Sequence, residues 1–151
     1  MKTLVLGLGN DILADDAVGV LAARALADRS DDTVEVRETA EHGMALLDHL
    51  IGYERVILID AIQTGSNEPG TILEIDPASL SAVYAPSPHY SGLPELLAVA
   101  ERLELDFPTQ FRIFAVEIAD ALTIGGAITP AVREAIPELC DRVRAALDEP
   151  V

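Results

Sequence analysis

Two nearly uninterrupted apolar runs, residues 3–8 (TLVLGL) and 55–60 (RVILID), constrain this chain more than any other feature. A strand that meets solvent on one face alternates polar and apolar residues. A strand that is apolar on both faces must be covered on both, and a parallel sheet sandwiched between helices provides that. The intervening segments have the matching helical period. Val18, Leu21, Ala22, Ala25 and Leu26 make one stripe, with Asp15 and Asp16 placed before it, where carboxylates favour free helix amides. Residues 33–38 (TVEVRE) alternate as a second strand, and 43–51 predict a short helix burying Met44, Leu47 and Leu50/Ile51. Residues 71–75 (TILEI) alternate and carry Glu74, which suits an edge strand of either direction, and 110–118 (QFRIFAVEI) form the last strand. Ser91 is placed to cap a helix with Pro94 in its first turn and Leu93, Leu96, Leu97, Ala100 and Leu103 on its apolar face. Thr129-Pro130 opens a terminal helix presenting Val132, Ile136, Leu139, Cys140, Val143 and Leu147, with a kink or break expected near Pro137. The expected fold is a three-layer α/β/α domain spanning residues 1–151, with a twisted, mostly parallel five-stranded sheet.

Charge narrows the partners. Asp and Glu number 26 against 10 Lys and Arg, a formal net charge of -16, so nucleic acid and anionic membrane surfaces are excluded as partners by sign. Cys140 is the single cysteine and sits on an apolar helical stripe, which makes it a core residue and not a nucleophile. The opening MKTLVLGLGND runs into glycines and acids without a cleavage region, so it reads as a strand and the cytoplasm is the expected compartment.

The first motif is Gly7-Leu8-Gly9-Asn10, glycines directly after a strand, as in dinucleotide-binding folds. Position 12 would have to be the third glycine, but it is Ile12, and Asp11, Asp15 and Asp16 crowd the place a pyrophosphate would occupy. A Rossmann-type binder is therefore disfavoured. No G-x-S-x-G elbow, H-E-x-x-H or Gly-Lys-Ser/Thr loop occurs.

A second set lies at strand ends: Asp16 after the first strand, Asp60 closing the third, His89 in the long 76–91 segment, and Glu117 at the end of the fifth. In an open α/β sheet these positions all face the carboxyl edge, where ligands bind. Two carboxylates and an imidazole suit a borderline divalent cation with positions left open for substrate. Spacing alone is equally compatible with aspartates that cap turns and a histidine at the surface.

Together these motifs resemble the hydrogenase maturation endopeptidases. Gly7, Gly9, Asn10, Asp15, Asp16 and Gly19 match the family's G-x-G-N, acidic pair and following glycine; Ile59-Asp60-Ala61 matches its third strand, and Ser87-Pro88-His89 its histidine segment. The similarity runs from residue 4 to ITPAV at 128–132. Two segments depart from it. Glu38-Thr39-Ala40-Glu41-His42-Gly43 stands where the family has a glycine- and threonine-rich loop, and Val116-Glu117-Ile118 lacks the family's proline.

The resemblance implies an endopeptidase that removes the C-terminal extension of a nickel–iron hydrogenase large-subunit precursor after nickel insertion. The implied metal contacts are Asp16, Asp60 and His89, the implied cation is nickel brought by the substrate, and zinc or cadmium is expected to substitute in crystals. The implied partner is the nickel-loaded precursor. A catalytically inactive, precursor-binding relative remains an alternative, kept open by the altered 38–43 loop, and a germination-type peptidase of similar fold is a more distant one.

Overall fold

A computed structural model describes residues 2–80, 87–90 and 93–150. Five strands form one sheet: β1 (Thr3–Leu8), β2 (Val34–Thr39), β3 (Arg55–Ile62), β4 (Ile72–Ile75) and β5 (Gln110–Glu117). Their order is β2-β1-β3-β5-β4. All neighbours are parallel except β4, which runs antiparallel to β5 at the edge, as the Glu74-bearing alternation allowed. β1 and β3 are buried along their whole length, which is what their apolar sequences required.

Strand periodicity sorts the core into two layers. Ile57, Ile59, Phe114 and Val116 pack on one side, beneath α1 (Val18–Ala25) and α4 (Pro130–Asp148). Val56, Leu58, Ile62 and Ile113 pack on the other, beneath α2 (Leu47–Leu50) and α3 (Leu93–Arg102). This is the expected α/β/α architecture. Cys140 is buried in the first layer, its thiol pushed up by that burial, and its Sγ lies 3.7 Å from the Ala22 carbonyl oxygen. No helix among the described residues is long and apolar enough to cross a membrane.

Local details differ from the sequence reading for identifiable reasons. The segment after β2 opens as a 3-10 turn, Gly43–Leu46, before α2. Three residues per turn shift the helical phase, so Leu46 and Leu50 are buried while Met44 and Ile51 are exposed. On α1, Ala23 is buried and Ala25 faces solvent. Leu103 lies past the end of α3 and is exposed. Pro94 does occupy the first turn of α3, whereas the Ser91 cap falls outside the described residues. α4 runs unbroken through Pro137. Pro137 and Arg133, the residue whose carbonyl loses its helical partner, both lie on the solvent side, where that oxygen is open to water. β3 continues two residues beyond Asp60, to Ile62.

One buried cation ties the layers together. Arg55 on β3 donates to the carbonyl oxygens of Ala146, Leu147 and Glu149, adding to the Glu149 amide's bond to Ala146 in capping the end of α4.

Candidate active site

The chain winds from β1 first to β2 and then back across to β3, so the sheet's switch point lies between β1 and β3. A crevice opens there at the carboxyl ends of the strands. Gly9 begins the turn with φ +152°, and a Cβ added to it would lie 2.1 Å from the Asp16 carbonyl oxygen. Only glycine permits the 10–16 loop to fold back this tightly. The loop closes on itself: the Asn10 amide donates to Asp16 Oδ2 at 2.9 Å, and the Asp16 amide donates to the Leu13 carbonyl. Ala14 within it holds φ 45°, a left-handed conformation that costs an alanine about 1–2 kcal/mol.

The two aspartates of the doublet divide their labour. Asp15 is fully buried and accepts from the amides of Ala119, Asp120 and Thr129 and from the Thr129 hydroxyl. It fastens the segment after β5 to the loop after β1. Thr129 is the first residue before α4, as expected, but its hydroxyl serves Asp15 and not the helix. Asp16, with 13% of its side chain exposed, turns toward the crevice.

There it meets Asp60 and His89. The side-chain donor atoms of the three all lie within 4.8 Å of one another. His89 Nε2 stands 3.8 Å from Asp16 Oδ1 and 3.8 Å from Asp60 Oδ1. It is buried and has no hydrogen-bond partner among the described residues. The opposite ring nitrogen, Nδ1, is 3.2 Å from the Glu41 carbonyl, which can only accept. That contact places a hydrogen on Nδ1 and directs Nε2 at the carboxylates. Ser87 holds the other two members together. Its hydroxyl donates to Asp60 Oδ2 at 2.5 Å, and its oxygen accepts from the His89 amide at 3.2 Å. The Ala61 amide donates to Asp60 Oδ1 at 2.8 Å.

The charge state follows from this enclosure. Complete burial pushes the Asp60 carboxyl up to about 7, although His89, Ser87 and the Ala61 amide pull the other way. Burial alone would lower the His89 imidazole, but the facing Asp16 and Asp60 carboxylates outweigh it and hold it up to about 9. The raised imidazole favours a proton on Nε2, facing the Asp16 and Asp60 carboxylates. The same three groups form an oxygen–nitrogen donor set for a divalent cation once that proton leaves.

Glu117 does not join them. Buried at the end of β5, it accepts from the Thr64 hydroxyl and amide and from Asn67 Nδ2, and these bonds hold its carboxyl below the usual range against the effect of burial. The departing 38–43 segment borders the crevice. Glu38 pairs with Arg24 through two bonds, beside a cleft of about 250 Å³ that Gly9, Asn10 and Thr39 also line. His42 is exposed and stands edge-on to His89, ring centroids 5.9 Å apart. Ser87 and Asp15 were not identified as site-building residues from the sequence. The Ser-x-His spacing and the acidic doublet were the available signals, whereas a backbone carbonyl such as that of Glu41 leaves none.

The comparisons agree with this architecture. The family model for hydrogenase maturation protease matches residues 20–146, a span that contains Asp60 and His89. The hydrogenase 2 maturation protease of Escherichia coli is 35% identical over 153 residues, covering 99% of this chain and 92% of that protein. The structure of the hydrogenase maturating endopeptidase HybD from E. coli superposes with a TM-score of 0.81 at 32% identity, covering 97% of this chain and 92% of that one. The [NiFe] hydrogenase maturation protease HybD from Thermococcus kodakarensis gives 0.71 at 25% identity, covering 97% and 99%. By the extent of the family match and the identity to its E. coli relative, this chain belongs to the hydrogenase maturation protease family.

Proposed function

We propose that this protein cuts the C-terminal extension from a nickel–iron hydrogenase large-subunit precursor once nickel is in place, and that Asp16, Asp60 and His89 contact that nickel. The observation that carries the reading is the convergence of these three side chains around a buried His89 Nε2 that has no hydrogen-bond partner among the described residues. The donor set fits a borderline cation: one imidazole nitrogen with its tautomer fixed by Glu41, and two carboxylates, one of them braced by Ser87.

Nickel acts as a Lewis acid, polarising the scissile carbonyl and making water more acidic. The chain's own groups do the rest. Asp60 and Ser87 are buried, and Asp60, braced by the Ser87 hydroxyl, would hold the ion near the end of β3. Asp16 is the more open carboxylate and faces the side from which a substrate enters. His89 would give up its Nε2 proton to offer that nitrogen to the cation. A site completed only by the substrate's own ion leaves other peptides uncut, which is specificity by assembly of the catalytic group. The expected residence is the cytoplasm, where the precursor would be met.

Incubation with nickel-loaded and nickel-free precursor, followed by mass spectrometry, tests this. A single C-terminal cut in the loaded form only, abolished by Asp16→Ala, Asp60→Ala or His89→Ala, is the expected result. Equal cutting of both forms overturns nickel gating, and full activity of the His89 variant removes the triad from the reaction. Tight binding without cleavage replaces the enzyme with a precursor-binding relative, the reading that the altered 38–43 loop keeps open.

A further inference from the structure

Three large aliphatic side chains on the loops beside Asp16 take no part in the core. Ile12 is 54% exposed, Leu122 85% and Ile124 77%. They are presented on pinned backbone. Leu13 and Ile124 form an antiparallel bridge, and the Gly125 amide donates to the Ile12 carbonyl at 2.7 Å. Asp120 fixes the turn bearing Leu122 by accepting from the Leu122 and Thr123 amides. Asp15 anchors the root of that turn through Ala119 and Asp120. An ordered turn that needed only solubility would carry polar residues at these positions. Strongly exposed aliphatic side chains on two loops that are bonded to each other through their backbones suit contact with another molecule.

We infer that Ile12, Leu122 and Ile124 form an apolar docking lip for the folded body of the precursor protein whose tail enters the site. This rests on the protease reading above. Two observations choose this occupant. The first is continuity: Ile12 lies in the loop that the Asp16 carboxylate closes, so a protein engaged at the triad meets the lip. The second is charge: each copy carries a net -16, so a second copy is repelled and the occupant is a different protein. Binding here holds the precursor by surface remote from the scissile bond, supplying affinity that the open metal site does not provide by itself.

The test compares the wild-type protein with Leu122→Ser and with the triple variant Ile12→Ser/Leu122→Ser/Ile124→Ser, using nickel-loaded precursor. The expected result is a precursor Kd and KM raised at least tenfold in the triple variant, with kcat at saturating precursor within twofold. Nickel binding by the protease alone and its circular dichroism should be unchanged. Leu122 is so exposed that Leu122→Ser cannot unfold the chain, and a partial loss of precursor affinity is expected from it alone. Unaltered Kd and KM in both variants overturn the lip. So does wild-type protein that sediments as a dimer and becomes monomeric in the triple variant, because the occupant is then a second copy. If wild-type protein binds the precursor without cutting it, the protease reading fails and the lip is judged on Kd alone. If wild-type protein does not bind precursor at all, both fall.

Discussion

His89 and Asp60 share a burial problem that neither solves alone. Both hold protons more tightly in the folded protein than in the unfolded chain, Asp60 rising from 3.8 to about 7 and His89 from 6.5 to about 9. They titrate as a pair. A group with a raised folded pKa stabilises the fold below its unfolded value and loses that contribution as pH climbs through its folded value. The metal-free protein should therefore melt at progressively lower temperature as pH is raised from about 6 to about 9. With the proposed ligands, cation binding runs the other way, because the ion would replace protons. Its affinity for nickel should rise by up to about tenfold per pH unit for each proton displaced. Calorimetric melting and nickel titration at pH 6, 7.5 and 9 read both slopes. His89→Gln should flatten both, and a wild-type nickel affinity that does not change with pH would contradict the assignment of these ligands. The residue types at 16, 60 and 89 were legible in the sequence as candidate metal ligands. Their protonation was not, since it comes from enclosure by segments far apart in the chain.

At the scale of elements, the contact of α1 with the sheet decides where Asp16 stands. A Cβ on Gly19 would lie 2.3 Å from the Leu8 carbonyl oxygen and 2.5 Å from that of Ile59, and one on Gly7 would lie 2.3 Å from the Gly19 carbonyl oxygen. Helix and strands therefore touch backbone to backbone. Gly19→Ala must lift α1, at a cost of about 1–3 kcal/mol for an overpacked contact. Asp16 lies in the 3-10 turn that leads directly into α1, so the same substitution should weaken nickel binding along with thermal stability. Thermal melts and metal titration of the variant check both; loss of stability with undiminished nickel affinity would show that α1 does not position Asp16. The glycine spacing was visible in the sequence, and helical periodicity picked out Val18 and Ala22 of α1's buried face but not Val20 or Ala23. It failed on α2, where a 3-10 entry rotated the phase and buried Leu46 instead of Met44.

For the molecule as a whole, a charge of -16 on 151 residues is a standing repulsion within the folded state. Added salt shortens its reach, from about 30 Å at 0.01 M to about 8 Å at 0.15 M ionic strength. Melting temperature should rise by several degrees over that range at pH 7.5, and the rise should shrink near pH 4.3, where the net charge vanishes. Differential scanning calorimetry in sodium chloride measures it; a melting temperature that falls with salt would mean that the ion pairs, such as Arg112 with Glu74 and Glu149, outweigh the repulsion.

The sequence by itself determined the alternation of buried strands and amphipathic helices, the antiparallel option for the Glu74 strand, the core position of Cys140 and the three candidate ligands. Those features depend on local periodicity and residue chemistry. The tertiary structure alone decided which strand lies beside which. That order put the switch point between β1 and β3 and drew Asp16, Asp60 and His89 to one crevice. It also left Glu117 bound to Thr64, and made Asp15 the bolt between the loops after β1 and β5. Periodicity reports the face on which a side chain stands. Neighbours distant in sequence are chosen by how the crossovers pack, and no local pattern encodes that choice.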